Sequence, residues 1–396
     1  MNILRRQFEI VLKQVSLKHV REIYNEIDWN ERLICIKGAR GVGKTTLMCQ
    51  RILQVFPDRS KVLYVALDNI WFGNHTLVDL ADMSYKMGVT HLFLDEVHKM
   101  KGWQQQIKNI YDIYGELNIV FTGSSLLEID NGVADLSRRC AVYTMQGLSF
   151  REYLAFKGFE FSAVSLQDIL YNHISLANKI NERIDVLKLF RKYVRYGAYP
   201  FYLSTTENGY LGKVSQIINT VIENDIPAVE NVEYITLQRC KQVLSILASQ
   251  SPSPVNVKST AEMMGVTHSQ FLKILDLLDR AQILRLLYYK DPKERKSLQK
   301  PQKILFNNTS LMFALEDANV GKMRETFLAS MLGREYKLGY PLKGDLMVEG
   351  RYLIEVGGSN KKFTQIADVP DSFLAVDDVA VGFGNKIPIW LFGFVK

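Results

Sequence analysis

Residues 38–45 read Gly-Ala-Arg-Gly-Val-Gly-Lys-Thr. They lie between an apolar run, Arg32 to Lys37, and a helical pattern from Gly43 to about Phe56 that Pro57 and Asp58 stop. Glycine reaches backbone torsions closed to other residues, so such a loop can turn its amide N–H groups onto a small anion. A helix that begins there adds its unpaired N–H groups and the positive end of its dipole. The spacing fits the phosphate loop G-x4-G-K-[ST]. Gly38, Ala39, Arg40, Gly41, Val42, Gly43, Lys44, Thr45 and Thr46 are therefore expected to bind a nucleoside triphosphate, ATP with Mg²⁺. Lys44 would reach the β- and γ-phosphates, and Thr45 would offer its hydroxyl to the metal.

A loop of this kind needs a buried parallel strand before it, and the surrounding sequence supplies several. Lys61–Leu67, His91–Glu96 and Leu117–Thr122 are continuously apolar runs, as strands covered on both faces are. Helical stretches separate them, notably Trp103 to Tyr114, and a further helix is expected over residues 3–27. The predicted class is α/β, a doubly wound parallel sheet of the P-loop NTPase kind. In such a sheet the carboxyl ends of the strands face the ligand. Asp95 is then placed to hold Mg²⁺, and Glu96 to polarise the attacking water. Ser124 and Ser125, after Phe121-Thr-Gly, put a hydroxyl where the γ-phosphate is expected. Arg138 and Arg139 follow, either as a finger for the charge of the transition state or as a solvated basic pair.

With 396 residues the chain exceeds one ordinary core, so further domains are expected. Residues 149–232 are mostly helical in pattern and carry the aromatic turn Arg195-Tyr-Gly-Ala-Tyr-Pro200. Two helical patterns within 236–290, separated by Gly265-Val-Thr-His-Ser, are followed by the apolar run Ile283–Tyr289. That order is the order of a winged helix-turn-helix, with Ser269–Leu278 as recognition helix. Lys273, Arg280 and the basic stretch 293–303 flank it, so duplex DNA is a candidate partner; winged helices serve equally as protein-binding modules. The last residues hold short strand-like runs, Arg351–Val356 and Pro388–Phe394.

The net charge of +7 permits an anionic partner without requiring one. Four widely spaced cysteines read as free thiols of a reducing compartment, and the scattered histidines form no metal cluster. The first residues have charges throughout and no apolar signal core, and no run nears the roughly 18 apolar residues of a membrane span. The expected location is cytoplasmic, away from the membrane.

Taken in order, the phosphate loop, Phe93-Leu-Asp-Glu-Val-His98-Lys99, Trp103, Phe121–Ser125, Leu136-Ser-Arg-Arg139 and Gly147-Leu-Ser-Phe-Arg-Glu-Tyr153 resemble the AAA-type ATPases of bacteria and archaea. More narrowly, the chain is similar to the branch in which a winged helix and a domain of unknown function follow the ATPase core. The resemblance implies an N-terminal helix (1–30), an AAA-type core (31–148), a helical lid (149–232) and a winged helix (233–300). It also implies an α+β domain similar to restriction-endonuclease-like nucleases (301–396). It sets the arginine finger on Arg139, in cis or from a neighbouring subunit of a homo-oligomer. The nuclease pattern is broken here: Glu325, Asp345 and Glu355 could supply carboxylates, but the expected E-x-K triplet reads Glu355-Val-Gly357. Lys361 or Lys362 would have to reach in from the next turn. The expectation is an ATPase that moves its winged-helix and C-terminal domains, with an inactive nuclease-like domain. A nucleotide-switched DNA-binding regulator and an ATP-gated nuclease stay open as alternatives.

Overall fold

In the computed structural model, residues 1–124, 136, 138–249, 257–289, 300–316 and 319–396 are described. Ser125 and most of the 293–303 stretch fall outside them. The chain forms two compact units, Met1–Gln146 with Asn224–Asn231, and Gly147–Glu223 with Val232–Lys396.

The first unit is built on five strands: β1 (Leu33–Lys37), β2 (Val62–Ala66), β3 (His91–Asp95), β4 (Asn118–Gly123) and β5 (Ala141–Thr144). All pair in parallel, in the order β2-β3-β4-β1-β5. Strands β1 to β4 are almost wholly buried, as their unbroken apolar sequences require. Between them run α2 (Lys44–Val55), α3 (Leu77–Lys86) and α4 (Trp103–Ile113). The first helix, α1 (Asn2–Lys13), buries Leu4, Phe8 and Leu12, one stripe at four-residue spacing.

That helix stops well short of the expected residue 27. Beyond it, Gln50 Nε2 donates to the carbonyls of Ser16 (2.8 Å) and His19 (2.9 Å), and only a 3₁₀ turn, Glu22–Asn25, follows. Side chains from elsewhere in the unit claim this backbone before it can continue as helix.

The second unit begins with helices α5 (Phe150–Phe156), α6 (Leu166–Asn181), α7 (Val186–Tyr196) and α8 (Glu207–Thr220). After the short α9 (Ile226–Val229), which belongs to the first unit, come α10 (Tyr234–Ser249), α11 (Val257–Met263) and α12 (His268–Arg280). A two-stranded antiparallel ribbon, β6 (Leu284–Leu287) with β7 (Lys303–Phe306), follows them. Helix α12 starts on a capping box, Thr267 with Gln270, and buries Phe271, Ile274, Leu275, Leu277 and Leu278.

Then come α13 (Thr309–Phe313), α14 (Val320–Leu332) and β8 (Leu338–Gly339) to β12 (Lys386–Pro388). These strands include β9 (Leu346–Val348), β10 (Tyr352–Gly357) and β11 (Ser372–Val376), and pair in the order β12-β11-β10-β9-β8. The pairs β10–β11 and β11–β12 are parallel, and β8–β9 and β9–β10 antiparallel. The strand-like run 388–394 is mostly not a strand: Ile389–Phe394 is a 3₁₀ turn, buried throughout. Six consecutive apolar residues can all meet a core from a tight turn, whereas a strand would send alternate ones to its other face. Among the described residues no helix is long and apolar enough to cross a membrane.

Candidate nucleotide-binding site

The loop at the carboxyl end of β1 is shaped by close backbone packing. Met145 N–H donates to Lys37 O at 2.7 Å, and a Cβ at Gly38 would lie 2.1 Å from Met145 O. Gly41 and Gly43 have φ of 84° and 103°, the left-handed torsions glycine adopts without strain. Arg21, buried, donates to Val42 O (2.7 Å) and Gln146 O (2.8 Å), bracing the loop from a segment whose sequence gave no sign of it. Lys44 Nζ donates to the carbonyls of Gly38 (2.8 Å) and Ala39 (3.0 Å). Its burial lowers the pKa of the amine, a pull that Glu96, Asp95 and Asp225 oppose.

Asp95, at the end of β3, is buried and accepts three hydroxyls. Thr45 Oγ1 donates to Oδ2 at 2.6 Å, Tyr64 from β2 donates to Oδ2 at 2.8 Å, and Thr122 from β4 donates to Oδ1. Burial and the neighbouring carboxylate raise the Tyr64 phenol far above its usual range, so it stays a donor. Thr122 Oγ1 also accepts the Glu96 N–H at 3.1 Å. Thr45 and Asp95 thus set two hard oxygen donors side by side, a donor set that suits Mg²⁺ completed by phosphate and water.

Glu96 leaves the strand with φ 55°, in the left-handed region that costs a non-glycine residue energy. The 3₁₀ turn Val97–Lys99 follows and brings His98 back beneath it. His98 Nε2 is 3.3 Å from Glu96 Oε2, while Nδ1 accepts the backbone N–H of Ser124 at 3.3 Å. Asp225 adds a carboxylate that Arg40 of the loop and Lys99 approach at 3.2 Å each. Burial pushes its pKa up, but His98, Arg40 and Lys99 outweigh that and hold it below the usual carboxylate value. One buried neighbourhood therefore collects Lys44, Thr45, Asp95, Glu96 and Ser124, as the sequence pattern implies, together with Tyr64, Arg21 and Asp225. The last three come from distant parts of the chain and carry no local motif.

Arg139 is elsewhere. Its Nη2 is 3.4 Å from Asp112 Oδ1, and its guanidinium carbon lies 6.0 Å from the Tyr111 ring centroid, at the last turn of α4. Arg32, immediately before β1, donates to Tyr111 O and stacks on the same ring. Arg139 precedes β5, which runs parallel to β1, so these residues gather at the amino ends of strands whose carboxyl ends carry the phosphate loop. Five residues of strand span about 16 Å. Within one chain, Arg139 does not reach the loop.

The carboxylates of the second unit meet lysines. Lys303 Nζ lies 2.9 Å from Glu325 Oε1 and 3.0 Å from Asp345 Oδ1, and Lys361 Nζ lies 2.7 Å from Glu355 Oε1. Lys361 therefore does reach the broken triplet from the next turn. Lys303, the last residue of the expected DNA-binding stretch, is buried in this cluster and not on an open surface. Burial lifts the Glu325 pKa to about 7 despite Lys303. Among the described residues no group of three or more His, Cys, Asp or Glu is placed to hold a metal ion.

Residues 30–154 match the family model of an AAA domain, and residues 187–322 match a domain of unknown function (DUF8612). The first match spans all five parallel strands and the glycine loop, so fold, loop motif and family model agree on an AAA-type P-loop domain over these residues. An uncharacterized protein of Methanocaldococcus jannaschii is 28% identical over 406 residues, covering 94% of this chain and 85% of that one. An uncharacterized protein of Haemophilus influenzae is 25% identical over 275 residues, 64% of this chain and 61% of its own. Among solved structures, a Thermotoga maritima RuvB variant aligns over 76% of this chain and 94% of its own, with 14% identity and a TM-score of 0.30. AMPPCP-bound DnaA from Aquifex aeolicus aligns over 69% and 87%, with 17% identity and a TM-score of 0.28.

Proposed function

We propose that the chain is a Mg²⁺-dependent ATPase whose nucleotide state moves its second unit. The observation that carries this reading is the set Lys44, Thr45, Asp95 and Glu96, gathered at the carboxyl ends of parallel strands beside a glycine loop. Loop amides and Lys44 bind the β- and γ-phosphates. Thr45 and Asp95 would hold Mg²⁺, whose charge would offset that of the transferring phosphoryl group. Tyr64 and Thr122 orient the Asp95 carboxylate. Glu96 accepts a hydrogen bond from the attacking water and aims it, and Ser124 borders the γ-phosphate. ATP turnover and nucleotide affinity of the full chain test the assignment. Lys44→Ala is expected to lose nucleotide binding. Glu96→Gln is expected to bind normally and turn over about a hundredfold more slowly. Normal hydrolysis by Glu96→Gln would remove Glu96 from its role.

The helices α11 and α12 and the ribbon β6–β7 favour a winged helix, and the carboxylates around β10 favour an endonuclease-like fold. Lys361 brings to Glu355 the lysine that the triplet lacks, which favours a working site, whereas Lys303 occupies both Glu325 and Asp345, which favours a domain that does not cut. The exposed Lys273 on α12 leaves duplex DNA as a partner, in a soluble cytoplasmic setting. The full chain is expected to bind plasmid DNA with salt-dependent affinity and to leave it intact in Mg²⁺ or Mn²⁺. Binding indifferent to salt would sink the DNA reading, and cleavage lost in Glu355→Ala would restore the nuclease.

A further inference from the structure

His98 stands between two carboxylates. Because Nδ1 accepts the Ser124 N–H, the proton of the neutral ring is on Nε2. That nitrogen is buried, lies 3.3 Å from Glu96 Oε2 and 3.9 Å from Asp225 Oδ1, and completes a hydrogen bond to neither. One donor thus faces two acceptors and can serve one at a time. Asp225 belongs to Asn224–Asn231, a stretch of the first unit flanked on both sides by chain of the second. The chain reaches it through a π-helical turn, Val221–Asp225, an irregularity common where function demands it, and Pro227 follows. The Asp225 carboxylate also holds two cations next to the site, Arg40 of the phosphate loop and Lys99.

We propose that Asp225 is a positioning residue through which the second unit governs hydrolysis. Seated, it competes with Glu96 for the His98 Nε2–H, which here lies nearer Glu96, and it engages Arg40 and Lys99. Withdrawn with its segment, it leaves Glu96 bound to the imidazole, and a carboxylate engaged that way is a poorer acceptor for the attacking water. The chain is continuous at 223–224 and 231–232, so displacement of the second unit pulls on Asp225 directly. The inference rests on the ATPase reading and assigns its regulation.

The test compares ATP turnover by the full-length wild type, Asp225→Asn and Asp225→Glu, with thermal unfolding of each. Asp225→Asn keeps the shape and removes the charge. It is expected to lower kcat about tenfold while KM for ATP stays within about threefold, and Asp225→Glu is expected to recover part of the loss. A kcat equal to wild type in Asp225→Asn overturns the proposal, as does a loss that falls on KM instead. If Asp225→Asn does not fold, Asp225→Glu decides by the same split. A wild type without turnover defeats the ATPase reading and this one with it; turnover in the wild type with an unaffected Asp225→Asn defeats this one alone.

Discussion

Asp95 accepts hydroxyl hydrogens from Thr45, Tyr64 and Thr122, contributed by α2, β2 and β4. Thr45 and Asp95 are legible in the sequence because the phosphate loop and an apolar strand ending in carboxylates are contiguous signals. Tyr64 is not, because what brings it to Asp95 is the pairing of β2 with β3, and pairing leaves no mark on either strand alone. A second buried carboxylate gives a prediction at the same scale. Burial lifts the Asp279 pKa from 3.8 to about 6, against a hydrogen bond from the Leu286 N–H and the charge of Arg285. The fold favours the protonated acid, so this contribution to stability is present below about 3.8 and lost as pH rises through about 6. Asp279→Asn has no proton to lose. Its stability relative to wild type should rise between pH 4 and pH 7 by on the order of 2 kcal/mol in denaturant titrations. A difference that stays flat with pH would show that Asp279 titrates normally.

The stretch Gly147-Leu-Ser-Phe-Arg-Glu-Tyr153, which enters the sequence reading only through resemblance, has a physical basis as an element. Ser149 Oγ accepts the Glu152 N–H and Glu152 Oε2 accepts the Ser149 N–H, both at 3.0 Å, a closed capping box that starts α5. Glu152 is buried and is met by Arg334 at 3.1 Å, whose other nitrogen donates to Gly147 O at 2.7 Å. A Cβ at Gly147 would stand 2.8 Å from Ala198 O, so glycine is required there. Ser149→Ala is expected to cost about 1 kcal/mol, read as a lowered midpoint in chemical denaturation; an unchanged midpoint would mean the cap is idle. Apolar runs placed β1 to β4 to within a residue or two, whereas the half-exposed β5 was given no bounds. Periodicity failed over residues 14–27 and 388–394, where tertiary hydrogen bonds and enclosure on all sides override local preference.

At the scale of the molecule, the position of Arg139 bears on assembly. Lying at the amino ends of the strands, it would have to act, as a finger, on the phosphate loop of another copy. ATP turnover per chain is therefore expected to rise with protein concentration, and Arg139→Ala to abolish that rise while nucleotide affinity is kept. Turnover per chain independent of concentration would take Arg139 out of the finger role. The sequence by itself determined the phosphate loop, the carboxylates after β3 and the parallel α/β class, because each is written in contiguous residues with a fixed period. Only the tertiary structure decided that Arg139 lies at the opposite end of the sheet, that Lys361 reaches Glu355, and that Asp225 joins Arg40, Lys99 and His98. These are meetings between residues far apart in the chain, and only packing brings such residues together.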